Sequence, residues 1–452
     1  FINADGLIDY RGIATQNVVE RRLKKEEGLR RQDLGREKFL ERTWKVKEEH
    51  HSIISKQQRK LGNSVDWDRE RFTLDEGLSK AVREVFVTLF ERGLIYKGHY
   101  LVNWCTSCGT ALADDEVEHE DTPGAMYHMY YEICDKDGNS VSIPSVTLED
   151  GTVFEGGSKI EIATTRPETL FGDTAVAVHP EDPRYTSLQG KFVRLALTDK
   201  IIPVVQDTYV ERGFGTGVVK ITPAHDPNDW EVGKRHDLPI VNILNPDGTL
   251  NENVPEKYRG LSTKEARKVV IQDLIENGLF KEEEKISHPV GHCYRCHTVV
   301  EPYLSDQWFV KMRPLADKAL KAWKDGEIGL YPKKWENTDS HWMENIRDWC
   351  ISRQLWWGHR IPVWYCQECG EMIVSRTDPD KCTKCGCDSS KLVQDPDVLD
   401  TWFSSWLWPF STLGWPEKTA DLEKFYPTSA LVTAYDIIFF WVSRMIMAGL
   451  EF

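Results

Sequence analysis

Between Leu74 and Arg92 apolar residues fall at Leu78, Val82, Val85, Phe86 and Leu89, close to the helical period, and Gly93 stands where a left-handed residue ends a helix. Leu40, Trp44, Ile53 and Ile54 mark a looser helix before it, so residues 12–97 read as helical, with a short strand over 100–103. The texture then changes. After the turn Asp121-Thr-Pro-Gly124, short β-branched runs at 126–133, 159–164, 174–179, 192–197 and 217–222 predict a compact sheet or barrel. One helix is signed within this stretch: Ser262 and Glu265 make a capping box, Ala266, Val269, Val270 and Leu274 a buried stripe, and Gly278 a stop. Beyond Cys296 the pattern returns to Trp-rich helices. It closes with a buried strand expected over 430–433 feeding a helix from Ile437, half of a βαβ unit.

Cysteine pairs sit at the borders of this pattern. Cys105-Thr-Ser-Cys108 precedes the strand-rich stretch and Cys293-Tyr-Arg-Cys296 follows it. Each pair offers two thiolates where tetrahedral zinc wants four. If the two pairs share one ion, the ends of residues 109–292 meet at a point, which describes a domain inserted into another. The expected division is 1–115, mainly helical with the first zinc half-site; 116–290, the β-rich insert; and 291–452, with the second half-site. The last part also carries a zinc ribbon, Cys366-Gln-Glu-Cys369 with Cys382-Thr-Lys-Cys385, and Cys387 as a spare candidate ligand. Four sulfur ligands leave no position for water, so both metals are expected to be staples. Cys134 and Cys350 read as small buried residues.

Composition narrows the class. At 452 residues the chain has room for two or three domains, and 40% hydrophobic with 29% charged residues is ordinary for a soluble globular protein. The longest apolar stretch is broken by Ser443 and Arg444 and is too short for a bilayer, so no membrane partner is expected. With no signal sequence at its start, a cytoplasmic location is expected. The net charge of −15 argues against indiscriminate phosphate binding, though not against a nucleic acid held by a local patch such as Arg21, Arg22, Lys24, Lys25, Arg30 and Arg31. Glu26 and Glu27 interleave that run, which reads first as a solvated helix face.

The densest candidate chemistry lies inside the insert. Ala163-Thr-Thr-Arg-Pro-Glu-Thr-Leu-Phe-Gly-Asp-Thr-Ala-Val-Ala-Val-His-Pro180 and Lys220-Ile-Thr-Pro-Ala-His-Asp-Pro-Asn-Asp229 read as facing walls of one pocket. Arg166, Glu168, Asp173, Lys220, His225, Asp226, Asp229 and Asp237 alternate with Thr164, Thr165, Thr169 and Thr222, and prolines stiffen the backbone. Such a pocket suits an ammonium against a carboxylate and a small polar side chain against Lys–Asp–Thr groups. With neither a nucleophile elbow nor a Gly-rich phosphate loop, hydrolysis there would need a positioned water. Trp402, Trp406, Trp408, Trp415 and Trp441 read as core packing.

These residues resemble a known family. Ala163-Thr-Thr-Arg-Pro-Glu-Thr169, Phe214-Gly-Thr-Gly-Val-Val-Lys220 and Thr222-Pro-Ala-His-Asp-Pro-Asn-Asp229 look like the editing domain of the valyl-tRNA synthetases. Asn103-Trp-Cys105, Asp348-Trp-Cys-Ile-Ser-Arg353, Asp400-Thr-Trp-Phe-Ser-Ser405 and Leu431-Val-Thr-Ala-Tyr-Asp436 look like the catalytic core of the same enzymes. The resemblance implies an α/β fold: a Rossmann-type class I synthetase core, here incomplete, interrupted by an inserted β-rich editing domain with zinc knuckles. It implies ATP-dependent charging of the tRNA for valine, with ATP and magnesium as substrates of the full enzyme, and hydrolysis of threonine wrongly esterified to that tRNA. A monomer is expected. Asp9 matches the position that holds the valine ammonium, and Trp402, Asp436, Ile437 and Trp441 match its pocket. In the editing site Asp229 would pair with the ammonium, and Lys220, Asp226 and Thr222 would read the threonine hydroxyl. Thr164, Arg166, Thr169 and Phe214 would line the pocket and receive the terminal adenosine.

The departures shape the expectation. The class signatures His-x-Gly-His and Lys-Met-Ser-Lys-Ser are absent, Asp9-Tyr10-Arg11-Gly12 stands where the family has Asp-His-Ala-Gly, and Ala434 replaces a usual glycine. An internal fragment able to edit but not to form valyl-adenylate is therefore expected; valine-dependent pyrophosphate exchange would overturn it. The alternatives are a fragment of an isoleucyl- or leucyl-tRNA synthetase, and a non-catalytic, zinc-stapled tRNA-binding module.

Overall fold

The structure, a computed structural model, describes residues 12–452. Two compact units divide the chain, Phe1–Gly98 with Asp306–Phe452, and His99–Ser305. All four cysteines of the two border pairs therefore belong to the second unit.

In the first unit the helices Gly12–Glu27 and Arg36–Lys60 bury Val19, Leu23, Phe39 and Val46 in one cluster. Glu76–Glu91 follows as the periodicity predicts: Asp75 accepts the Leu78 amide at its start, Leu78, Val82, Val85, Phe86 and Leu89 are buried, and Gly93 has φ +70°. Two of the motifs quoted above are tied together by a buried ion pair. Arg353 donates to Asp400 at 2.7 Å, both side chains are wholly buried, and Trp349 Nε1 donates to the same carboxylate oxygen at 3.0 Å. Asp400 also caps the helix Thr401–Ser405. Trp402, Trp406 and Trp408 are core residues, as their density suggests.

One expectation for this unit fails. Residues 430–433 form no strand: they are irregular chain with Val432 96% exposed, and no described strand pairs with them. A β-branched run is a strand only where a neighbouring edge takes its hydrogen bonds, and here none does. The helix expected from Ile437 begins as a 3-10 turn Tyr435–Ile437 and a π turn Ile438–Val442 before the α-helix Ser443–Glu451.

The second unit is built on a ribbon. Strand Val117–Cys134 runs antiparallel to Phe280–Cys293, from Val117 opposite Cys293 to Met129 opposite Phe280. The sheet continues in the order Val218–Ile221, Ala175–Val178, Ile201–Gln206, Phe192–Arg194, Val117–Cys134, Phe280–Cys293. Lys159–Thr164 also pairs with Val117–Cys134 and lies against Val218–Ile221, so the sheet curls almost closed. Ala175–Val178 with Ile201–Gln206 is a parallel pair. Met129, Tyr131, Ile133, Ile160, Ile162, Val176 and Val178 fill the interior, and the helix Thr263–Glu276, capped by Ser262 and Glu265 as predicted, covers it with Ala266, Val270 and Leu274. The five predicted strands are present. The pattern gave no sign of Phe280–Cys293, whose Lys-Glu-Glu-Glu-Lys run is exposed, because a ribbon with water on both faces has no hydrophobic alternation to show.

Candidate active site

The two cluster-bearing segments meet inside the second unit. The first supplies a 3-10 turn, Pro167–Gly172, in which Thr169 Oγ1 donates to the Arg166 carbonyl at 2.9 Å. The second supplies strand Val218–Ile221 and the helix Pro227–Arg235, an element that the polar run does not announce. Asp226 is that helix's N-cap, accepting the amides of Asn228 at 2.8 Å and Asp229 at 3.2 Å, and Pro227 takes the first helical position, where its missing N–H costs nothing. Gly172 lets the walls close. A Cβ there would lie 3.0 Å from the Val241 carbonyl and 3.1 Å from Thr222 Cγ2.

At the centre is a buried cation. Lys220 occupies an inward strand position, 8% exposed, and its ammonium donates to Asp173 Oδ1 at 2.8 Å, Thr169 Oγ1 at 2.9 Å and Thr222 Oγ1 at 2.5 Å. A lysine has three N–H bonds, so all three end on protein oxygens and an incoming hydroxyl must displace one. Thr222 Oγ1 donates onward to Asp173 Oδ1 at 2.6 Å, and Tyr131 donates to Oδ2 at 2.6 Å. Burial pushes the Asp173 carboxyl up, with Lys220, Thr222 and Tyr131 opposing it. Sequence reasoning placed Asp173 in the crowd without a role and missed Tyr131; strand alternation from Met129 was the available signal.

Beside this ring lies Asp229, 6% exposed, its Oδ2 accepting the Thr222 amide at 2.8 Å. Burial, reinforced by the neighbouring Asp226 charge, raises its carboxyl to about 7 against the pull of Lys220 and the amide. His225 is driven the other way, to about 3, by burial and by the cations Arg166 and Lys220, and its neutral ring accepts the Ile243 amide on Nε2 at 3.0 Å. A carboxyl poised near neutrality in a wall of fixed donors is a candidate for binding or catalysis.

The remaining predicted residues are placed differently. Arg166 donates to the His225 carbonyl at 3.1 Å and to Glu301, and lies 3.6 Å from Glu168. Burial opposes its charge, but Glu301 and Glu168 outweigh burial and raise it further. Arg267 doubles the network with bonds of 2.7 and 2.8 Å to Glu168, and Thr263 donates to Glu301 at 3.1 Å. Glu301 lies beyond the boundary drawn at 290, and no motif connects it to the insert. Thr164 Oγ1 accepts the Arg166 amide at 3.1 Å. Phe214, 70% exposed, projects from the loop before Val218–Ile221. In the first unit Trp402 and Trp441 come together with ring centres 6.3 Å apart; Ile437 is buried and Asp436 exposed in the turn between them in sequence. Asp9 lies outside the described residues.

Two cysteine clusters can hold a zinc ion. Cys105, Cys108, Cys293 and Cys296 converge with Cys296 Sγ 3.4 Å from Cys105 Sγ and 3.6 Å from Cys108 Sγ. Those separations are near the edge of a tetrahedron of zinc–sulfur bonds, roughly 3.8 Å, and far beyond a disulfide. The second cluster, around Cys366, has the same spacings. Metal binding at the first cluster is expected to be part of the folding energy of the second unit. Removing it with a chelator should lower the thermal midpoint of that unit and speed proteolysis near the ribbon's base; an unchanged melt would show the cluster to be metal-free thiols.

A family model described as tRNA synthetases class I (I, L, M and V) matches residues 5–452. The chain belongs to the class I tRNA synthetases. This synthetase chain is 70% identical over 449 residues to the valine--tRNA ligase of Treponema denticola, covering 98% of this chain and 47% of that protein. It is 59% identical to the valine--tRNA ligase of Treponema pallidum and 55% identical to that of Thermotoga maritima, over 98% of this chain and 46% and 49% of theirs. The chain spans about half the length of the curated relatives it matches. A solved LeuRS–tRNA–LeuAMS complex from Agrobacterium radiobacter aligns over 98% of this chain and 56% of that one at 17% identity and a TM-score of 0.41, too weak a likeness to bear on function. No described helix is long and apolar enough to cross a membrane.

Proposed function

We propose that this chain is part of a valine--tRNA ligase and that its second unit hydrolyses threonine esterified to the tRNA for valine. The observation that carries the reading is the ring of Lys220, Asp173, Thr222 and Thr169 set against Asp229, a buried polar cluster with one carboxyl poised to ionise. An apolar synthetic pocket cannot strongly reject an isostere that adds only a hydroxyl, valine against threonine being the standard instance. A second pocket inverts the demand: its polar groups are satisfied by threonine and left stranded by valine's methyl, at about 1–3 kcal/mol for each buried group.

In this mechanism Asp229 as a carboxylate takes the aminoacyl ammonium. Thr222 Oγ1 already donates to Asp173 and accepts from Lys220, which leaves it one lone pair for the threonine hydroxyl. Asp226 spends Oδ1 on its helix cap and keeps Oδ2 for the same hydroxyl. Lys220 fixes the two threonines, and Arg166 is braced by Glu301 and Glu168 to receive the nucleotide end with Thr164 and Phe214. The attacking nucleophile is a water held against the ester.

The complete ligase would use ATP with magnesium, valine and tRNA, in the cytoplasm and as a monomer, with Trp402, Ile437, Trp441, Asp436 and Asp9 around the valine. Structural zinc would sit in the two cysteine clusters, with Cys105, Cys108, Cys293 and Cys296 as one ligand set.

The test is a deacylation assay. Purified chain is expected to hydrolyse threonyl-tRNA for valine and to leave valyl-tRNA, and the mischarged tRNAs for isoleucine and leucine, largely intact. Binding of the tRNA without turnover would replace this reading with a zinc-stapled binding module.

A further inference from the structure

The ribbon cluster in the first unit holds one thiol more than an ion needs. Strand Val363–Cys366 lies between Met372–Val374 and Leu392–Gln394, and two cysteine turns extend from this small sheet. In the first turn, which carries Cys366 and Cys369, the Gly370 amide donates to the Cys366 carbonyl at 3.0 Å. In the second, which carries Cys382 and Cys385, the Gly386 amide donates to the Cys382 carbonyl at 3.0 Å. The two turns match and each presents a Cys-x-x-Cys pair, so the fold prepares these four as ligands. A fifth sulfur stands among them: Cys387 Sγ is 3.4 Å from Cys366 Sγ, closer than Cys385 Sγ at 3.6 Å. Cys369 Sγ lies 3.7 Å from Cys382 Sγ. Cys366, Cys382, Cys385 and Cys387 by themselves bring four sulfurs within 4.8 Å of one another, a complete donor set without Cys369. Cys387 is only partly buried and follows Cys385 by two residues on the same turn.

We propose that this is a zinc site with a built-in replacement ligand, in which Cys387 takes the coordination position of Cys369 when that thiolate is lost. The exchange is a ligand substitution with no redox change. The metal–sulfur bond to Cys369 breaks, a bond to Cys387 forms, and the proton leaving the Cys387 thiol passes to Cys369. If Cys369 has been replaced or alkylated, that proton goes to solvent. The ion keeps four sulfurs either way, and zinc, with no geometric demand beyond a tetrahedron, accepts both sets. This inference is independent of the proofreading reading, since it concerns a cluster in the other unit and is read out by metal alone.

The experiment uses the whole chain, zinc-loaded for chelator competition and cobalt(II)-substituted for counting thiolates by charge-transfer intensity. Cys369→Ser, Cys387→Ser, the double variant and Cys366→Ser are each compared with the parent, the cluster at Cys105 giving a constant background. Cys369→Ser and Cys387→Ser are each expected to keep the parental sulfur count, with zinc affinity within roughly tenfold of it. The double variant should lose one sulfur from the spectrum and more than roughly a hundredfold in affinity, as should Cys366→Ser. Cys369→Ser that loses one sulfur from the spectrum and more than roughly a hundredfold in affinity relative to the parent overturns the proposal. Because that variant retains four cysteines in the cluster, its reading does not depend on the double variant folding.

Discussion

Replacing Asp229 by alanine is expected to slow hydrolysis of threonyl-tRNA by a hundredfold or more while the chain stays folded. The carboxyl is buried beside the Lys220 ring and, among the described residues, takes one protein bond, from the Thr222 amide, so the substrate ammonium is its natural partner. Removing one member of a buried charge pair costs about 3–5 kcal/mol, which at about 1.4 kcal/mol per decade is roughly two to three and a half decades in rate or affinity. The raised carboxyl adds a pH signature. Its folded value of about 7 means the pocket is neutral in acid and anionic in base. Below pH 7 the kcat/KM for threonyl-tRNA should therefore fall about tenfold per unit, an inflection belonging to the free site. Asp229→Asn should lack it; an unshifted profile in that variant would remove Asp229 from the mechanism.

The same burial has a stability consequence of defined sign. Between about pH 4 and pH 7 the folded chain holds a proton at Asp229 that the unfolded chain has released. The neutral carboxyl thus contributes stability at acid pH that is lost as pH rises through 7. Asp229→Asn should then be more stable than the parent at pH 8, on the order of 2–3 kcal/mol, with the gap closing toward pH 4. A functional carboxylate that costs the fold stability is what a binding site, rather than a structural bond, would show.

Lys220→Met is expected to have the largest effect on stability. Asp173 is fully buried, and Lys220 is the cation against it, at 2.8 Å. With the ammonium gone, the carboxylate keeps Thr222 and Tyr131 as donors but no countercharge, a loss of about 3–5 kcal/mol. For a unit of this size that is roughly 10 °C in thermal midpoint. Adding Asp173→Asn should recover most of the loss, since an amide needs no countercharge. The double variant separates two roles that a single variant confounds: it should fold yet fail to hydrolyse threonyl-tRNA, because the Thr169 and Thr222 hydroxyls are no longer fixed. A double variant as unstable as Lys220→Met would show that packing, not charge, governs this position.

Much of the architecture was legible before any coordinates. Period and caps located Glu76–Glu91 and Thr263–Glu276, because a helix writes its buried face and both ends into local residues. The sharing of one cluster by Cys105, Cys108, Cys293 and Cys296 followed from counting thiolates against zinc's four positions, a chemical constraint that ignores distance along the chain. The two polar segments of the insert were singled out by composition, and they do meet. What the chain order did not contain was the partnering. Phe280–Cys293 is a strand because Val117–Cys134 lies beside it, while 430–433 has equal β character and no described partner. Asp226 was read as a pocket wall, and only the helix Pro227–Arg235 makes it a cap. Lys220 looked like a free donor until the fold set Thr169, Asp173 and Thr222 around all three of its protons. Local pattern fixes which residues are able to form an element or bear a charge. Long-range packing decides which of those groups are already satisfied, and so which remain for a ligand.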